Sequence, residues 1–140
     1  MFKKFFEKKE KISDNNNILI AALLVHAAKI DNEYTDVEKK IIKQALINLN
    51  LTKLNEVDEL LKTAEEKEKE SNQIIEFTKE IKKNSMEFRL KIIEILWKIV
   101  YSDEKSDNFE SNLIRRVCGL LYVSDKDSGM IKLKVLNSKN

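Results

Sequence analysis

Apolar residues recur every three to four positions along most of the chain, which is the spacing of amphipathic α-helices. A short basic helix and a polar break at 13–17 come first. The helices predicted after them cover about 17–30, 37–50, 54–71, 72–82, 88–104, 109–121 and 126–135. Those at 17–30 and 88–104 are the most apolar and should be central, whereas the polar end at 64–71 should project into solvent.

Two acidic loops in this pattern match each other. IDNEYTDVE at 30–38 recurs as SDEKSDNFE at 102–110, with an offset of 72 positions for both the aspartate and the glutamate. The apolar positions of the flanking helices keep the same offset. We therefore predict an internal two-fold repeat, in which two copies of helix, acidic loop and helix pack about a pseudo-twofold axis.

Composition supports one all-α domain, a compact bundle of about seven helices. The 140 residues include no proline and two glycines, which favours helices joined by polar loops over sheets with tight hairpins. The 26 basic and 24 acidic side chains are spread along the chain, so we predict no nucleic-acid partner. We divide the chain into a basic amphipathic segment at 1–14, an all-helical domain at 15–136 and a frayed end at 137–140.

Several features favour a cytoplasmic protein. The longest apolar run, 18–28, is shorter than the roughly 20 residues that span a bilayer, and the start of the chain does not read as a secretory signal. The single cysteine, Cys118, excludes an intramolecular disulfide and reads as a buried small hydrophobe. The segment 1–14 holds Phe2, Phe5 and Phe6 among lysines. It either packs on the domain or contacts an anionic membrane at its inner face.

The repeated acids allow two interpretations. Thr35 with Glu38, and Asp107 with Glu110, both fit a helix N-cap followed by a glutamate at the third helical position. Alternatively, two related halves bring four carboxylates together, where a divalent cation would offset their repulsion. Oxygen ligands alone suit calcium, magnesium or manganese better than zinc.

The stretches LLVHAAKIDNEYTDVEKKIIKQAL and LWKIVYSDEKSDNFESNLIRRVCGLLYVSDKD resemble the paired signatures of the TerB, or tellurite-resistance TerB-like, family across about 18–136. In that family an aliphatic helix ends in Ala-Asp-Gly, and an acidic residue seven places after the aspartate opens the next helix. The resemblance implies an all-helical fold in which these acids bind metal. The implied ligands are Asp31, Glu38, Asp103 and Glu110. Asn32 and Glu104 replace the glycines of the family pattern.

No motif for catalysis is present. The chain has no P-loop, no Gly-x-Gly-x-x-Gly and no Gly-x-Ser-x-Gly, and its one histidine, His26, reads as a satisfied core or semi-buried residue. We therefore expect a non-enzymatic module with a divalent cation and an unknown protein partner, of the kind found in stress or tellurite-resistance systems. The alternative is a metal-free scaffold for a protein partner or a membrane surface, in which the repeated acids are helix caps.

Overall fold

The computed structural model describes the backbone of residues 2–30, 33–71, 73–102 and 108–138, and the side chains of these residues except 2–15 and 108–111. Seven helices lie within these ranges, and no strand does. In chain order they are α1 (Phe2–Lys29), α2 (Asp36–Asn48), α3 (Val57–Glu70), α4 (Ile74–Lys82), α5 (Met86–Val100), α6 (Asn108–Leu121) and α7 (Asp125–Ser138). The all-α prediction is confirmed.

The core is built around α1 and α5, the two helices that the sequence predicts to be central. α1 packs against α2, α3, α4 and α5, while α5 also contacts α6 and α7. From Ala21 to Val25 every residue is 0% exposed, so this part of α1 is buried on all sides. The small side chains of Ala21 and Ala22 allow neighbouring helices to approach closely. Phe77 of α4 is likewise fully buried.

The start of the chain differs from the prediction. α1 is one helix of 28 residues that begins at Phe2, so the polar break expected at 13–17 is absent. Serine, aspartate and asparagine lower helix propensity without ending a helix, and this stretch contains neither proline nor glycine. Among the described residues, no helix combines the length and apolar character needed to cross a bilayer.

The last helix also extends further than predicted. α7 continues to Ser138 instead of ending near residue 135, and residues 139–140 lie outside the described part of the chain. Its inner side carries Ser128 and Val135, both buried. The hydroxyl of Ser128 accepts a hydrogen bond of 3.2 Å from Nε1 of Trp97, so α7 is joined to α5 by a buried polar contact.

Helices α2 and α6 end alike. Asn50 and Tyr122, which are 72 positions apart, both have a positive φ, of 60° and 58°. The next amide in each case donates to a carbonyl five residues back, from Leu51 to Leu46 (3.0 Å) and from Val123 to Cys118 (2.9 Å). At the end of α2 a further bond, from the Asn50 amide to the Ile47 carbonyl (3.0 Å), completes a Schellman motif. The predicted offset therefore holds at these two helix ends, while the two-fold arrangement of the whole chain stays a prediction.

Candidate functional site

The structure describes one of the four predicted metal ligands in full. Glu38 is the third residue of α2. Asp31 and Asp103 lie outside the described residues, and Glu110 is placed on α6 with its side chain undescribed. The predicted meeting of the four acids at one axis therefore remains a prediction.

Glu38 forms a capping box with Thr35. The hydroxyl of Thr35 accepts a hydrogen bond from the Glu38 amide (3.2 Å), and Oε1 of Glu38 accepts one from the Thr35 amide (2.8 Å) and one from its hydroxyl (3.0 Å). The whole residue is 1% exposed. The cap predicted for the first loop is confirmed, and it holds a buried carboxylate in a fixed position at the start of α2. The equivalent cap at Asp107 lies outside the described residues.

Tyr34 reports the electrostatic environment beside this cap. Its Oη is buried and has no hydrogen-bond partner of standard geometry. Burial raises the pKa of Tyr34 far above its usual value, and the carboxylates of Glu65, Glu38 and Glu68 raise the pKa further, with Glu65 contributing most among them. The Nζ of Lys39 lies 4.9 Å from the centre of the ring. Carboxylates from α2 and α3 therefore lie near enough to Tyr34 to act on its hydroxyl.

A buried ionic cluster joins α1 to α3 nearby. Oε1 of Glu68 accepts a hydrogen bond from Nζ of Lys29 (2.8 Å), and Oε2 lies 3.1 Å from Nδ1 of His26. Burial alone would raise the pKa of Glu68, but the hydrogen bonds from Lys29 and His26 outweigh it, so the pKa lies below the ordinary value. His26 is thus the satisfied, partly buried histidine that the sequence predicts.

Glu68 itself is absent from the sequence-based prediction. The polar stretch 64–71 is predicted to project into solvent, which is wrong for Glu68, since the residue is 7% exposed. A signal was available in the spacing. Val57, Leu61 and Ala64 form the buried stripe of α3, and Glu68 lies one turn further along that stripe.

The described donors suit a hard cation in kind. The cap holds the carboxylate of Glu38 buried and in a fixed position. Glu68 is a poorer donor because Lys29 and His26 already pair with it. Within the described ranges no three histidine, cysteine or acidic side chains are grouped closely enough to hold a metal ion. A complete site would therefore need ligands from Asp31 or from the second loop.

Comparison with known families identifies the chain. The family model described as Tellurite resistance protein TerB matches residues 17–133. The chain belongs to the TerB family. The matched region runs from the apolar part of α1 into α7, and it includes both acidic loops. No curated protein and no solved structure matched the chain.

Proposed function

We propose that this TerB-family chain is a non-catalytic, cytoplasmic helical module that binds a divalent cation through its acidic loops. The observation that carries the proposal is the carboxylate of Glu38, which is 1% exposed and is held at the start of α2 by hydrogen bonds from Thr35. A divalent cation would offset the repulsion among the four repeated acids of the two loops. The oxygen donors favour calcium, magnesium or manganese.

Four side chains would hold the ion: Asp31, Glu38, Asp103 and Glu110. Hydrogen bonds from Thr35 fix the carboxylate of Glu38 before any ion arrives. The aspartates follow the ends of α1 and α5, and the glutamates lie in the first turns of α2 and α6. Binding would therefore tie helix ends together. We propose that occupancy in this way favours association with a protein partner.

A thermal melt of the metal-stripped protein, titrated with calcium, magnesium and manganese, tests the cation site. An ion that binds the folded state alone stabilises it by about 2.7 kcal/mol at a hundred times its dissociation constant. We expect a saturable rise in the melting temperature with at least one ion. In the Asp31→Asn, Asp103→Asn double variant, the rise should disappear.

The matched control is the double variant Asp125→Asn, Asp127→Asn, which removes two acids from the first turn of α7 and changes the net charge equally. This control should keep the full cation response. A flat titration of the native protein with all three ions would reject the cation site. An equal loss of response in the control variant would show that the ions act through general charge.

The second candidate is a metal-free interaction scaffold. The capping box favours it, because the cap gives Glu38 a structural role that needs no ion. Under this alternative the acids stabilise helix ends, and the acidic loops face a basic partner. Flat melting curves in the cation titration are the result that this candidate predicts.

We further propose that the N-terminal part of α1 makes peripheral contact with an anionic membrane at its inner face. The contact would use Phe2, Phe5 and Phe6 with the neighbouring lysines. The continuity of α1 from Phe2 supports this proposal, because these three positions then have helical spacing. Basic amphipathic helices bind such surfaces by burying apolar side chains while the lysines remain among the headgroups.

A further inference from the structure

An open cleft of about 390 Å³ lies between α2 and α5. Its apolar lining comes from both helices. Ile41 and Ala45 lie on α2, Leu49 is the residue that caps the end of α2, and Ile95 lies on α5. Ala45 and Ile95 are buried, while Ile41 and Leu49 are partly exposed. We call these four apolar residues the floor of the α2–α5 cleft. They form an apolar strip that runs along the helices.

The α5 side of the cleft carries two lysines and one glutamate. Lys91 and Lys98 line it, and both are exposed. Lys98 forms no ion pair with any described residue. Lys91 is 3.8 Å from Glu87 in a solvent-exposed pair, a kind of contact that contributes little. The acid between the two lysines, Glu94, is already paired with Lys134 at 3.0 Å.

The two lysines are seven residues apart. They therefore lie about two helical turns, or roughly 10 Å, apart along the same side of α5. A ligand that pairs with both must carry two separated negative charges beside an apolar surface. An amphipathic helix with acidic residues seven positions apart meets this requirement, since its own acids have the same separation.

We propose that the α2–α5 cleft is a docking site for an acidic amphipathic helix of another protein. The apolar stripe of that helix covers the floor of the cleft, and its two carboxylates pair with Lys91 and Lys98, in the manner of a helix bound in a groove. The segment 1–14 of the chain itself is disfavoured as the occupant, because its five lysines would meet two more.

The proposed docking site and the proposed cation site share no residues. None of the four predicted ligands lines the cleft. Docking can therefore be tested on the metal-stripped protein, and failure of either proposal leaves the other standing.

Two designed peptides test the proposal by NMR titration. Both are end-capped helices with the same leucine stripe. One carries two glutamates seven positions apart beside the stripe, and the other carries lysines at those positions. The side-chain amides of Gln44 and Asn48 are useful probes, because they line the cleft and Nε2 of Gln44 donates a hydrogen bond of 3.0 Å to Oδ1 of Asn48. We expect saturable shifts at the cleft with the glutamate peptide and at least about tenfold weaker binding of the lysine peptide.

Charge reversal in the protein supplies the reciprocal test. The double variant Lys91→Glu, Lys98→Glu should bind the glutamate peptide at least about tenfold more weakly and should prefer the lysine peptide. The control, Lys62→Glu with Lys69→Glu, makes the same charge change at exposed positions of α3 and should behave like the native protein.

Three results would overturn the docking proposal. The first is equal affinity for the two peptides, and the second is the absence of saturable shifts at the cleft up to millimolar peptide. The third is movement of the cleft signals with protein concentration when no peptide is present, which would assign the cleft to a second copy of the chain.

Discussion

At the scale of single residues, Glu68 shows how a charged side chain can occupy a core position. The buried stripe of α3 calls for an apolar residue there, yet the carboxylate is only 8% exposed. Lys29 and His26 compensate for its burial by hydrogen bonds to separate oxygens. The charge of Glu68 suggests a solvated side chain. Its burial could not be predicted from the local sequence, because its two partners lie about forty positions away.

We predict that Glu68→Gln lowers the free energy of unfolding at pH 7 by about 1–3 kcal/mol, because the change leaves the partly buried ammonium of Lys29 without its counter-charge. The pKa of Glu68 is lowered in the folded protein, so its ionised form stabilises the fold. This contribution is present above the unfolded pKa of about 4.3 and is lost as the pH falls through the lower folded value.

Urea unfolding at pH 7 and at steps below pH 4.5 measures the effect. The difference between native protein and variant should shrink as the solution becomes more acidic. Glu66→Gln, at an exposed position on the same helix, is the control and should change stability by less than about 0.5 kcal/mol at every pH. Equal stability of Glu68→Gln and native protein at pH 7 would show that the cluster contributes nothing.

At the scale of elements, α2 and α6 end in the same backbone conformation but with different residues. At each of the two helix ends the chain leaves through a left-handed residue, which is Asn50 after α2 and Tyr122 after α6. Asparagine tolerates this conformation well, whereas a bulky side chain adopts it rarely. The ring of Tyr122 is exposed and lies 4.5 Å from Nζ of Lys82. This cation–π contact offsets part of the conformational cost.

We predict that glycine at position 122 is more stable than alanine there by about 1 kcal/mol. Neither residue can make the aromatic contact, so the comparison isolates the backbone, and a left-handed conformation costs non-glycine residues about 1–2 kcal/mol. Thermal or urea unfolding of Tyr122→Gly and Tyr122→Ala provides the measurement.

Arg116 supplies the reference for this comparison, because it is exposed in the interior of α6. There the order should reverse, and glycine should be less stable than alanine by about 1 kcal/mol. The same order at both positions would mean that the left-handed geometry of residue 122 does not limit stability.

At the scale of the whole molecule, the sequence predicts the helical core better than it predicts the connections. The sequence predicts that α1 and α5 are central because these helices are apolar on most sides, which can be read from local composition. The sequence did not predict that α1 continues through 13–17, because a polar stretch is compatible with either a helix or a loop. For the candidate site, the Thr35–Glu38 cap was predictable from a four-residue pattern. The approach of Glu65 and Glu68 to Tyr34 depends on how α3 packs.

The last prediction concerns the N-terminal part of α1. Residues 20–28 of α1 are mostly buried in the core, while its first fifteen residues, 2–16, precede the region matched by the TerB family model. We predict that the full chain co-sediments with phosphatidylcholine vesicles that contain phosphatidylserine and remains in solution with phosphatidylcholine alone. Each lysine near an anionic surface contributes about 1 kcal/mol, so rising salt should weaken the binding.

The triple variant Phe2→Ser, Phe5→Ser, Phe6→Ser tests the apolar part of this contact, and we expect it to lose at least about tenfold in vesicle affinity, since each phenylalanine buried in the interface adds to the binding energy. Met130→Ser with Leu133→Ser is the control, because both residues are exposed on α7 and their replacement lowers surface hydrophobicity elsewhere. Undiminished sedimentation of the triple variant would assign any vesicle binding to charge alone. Equal sedimentation of the native chain with neutral vesicles would reject the basic residues as the source of selectivity.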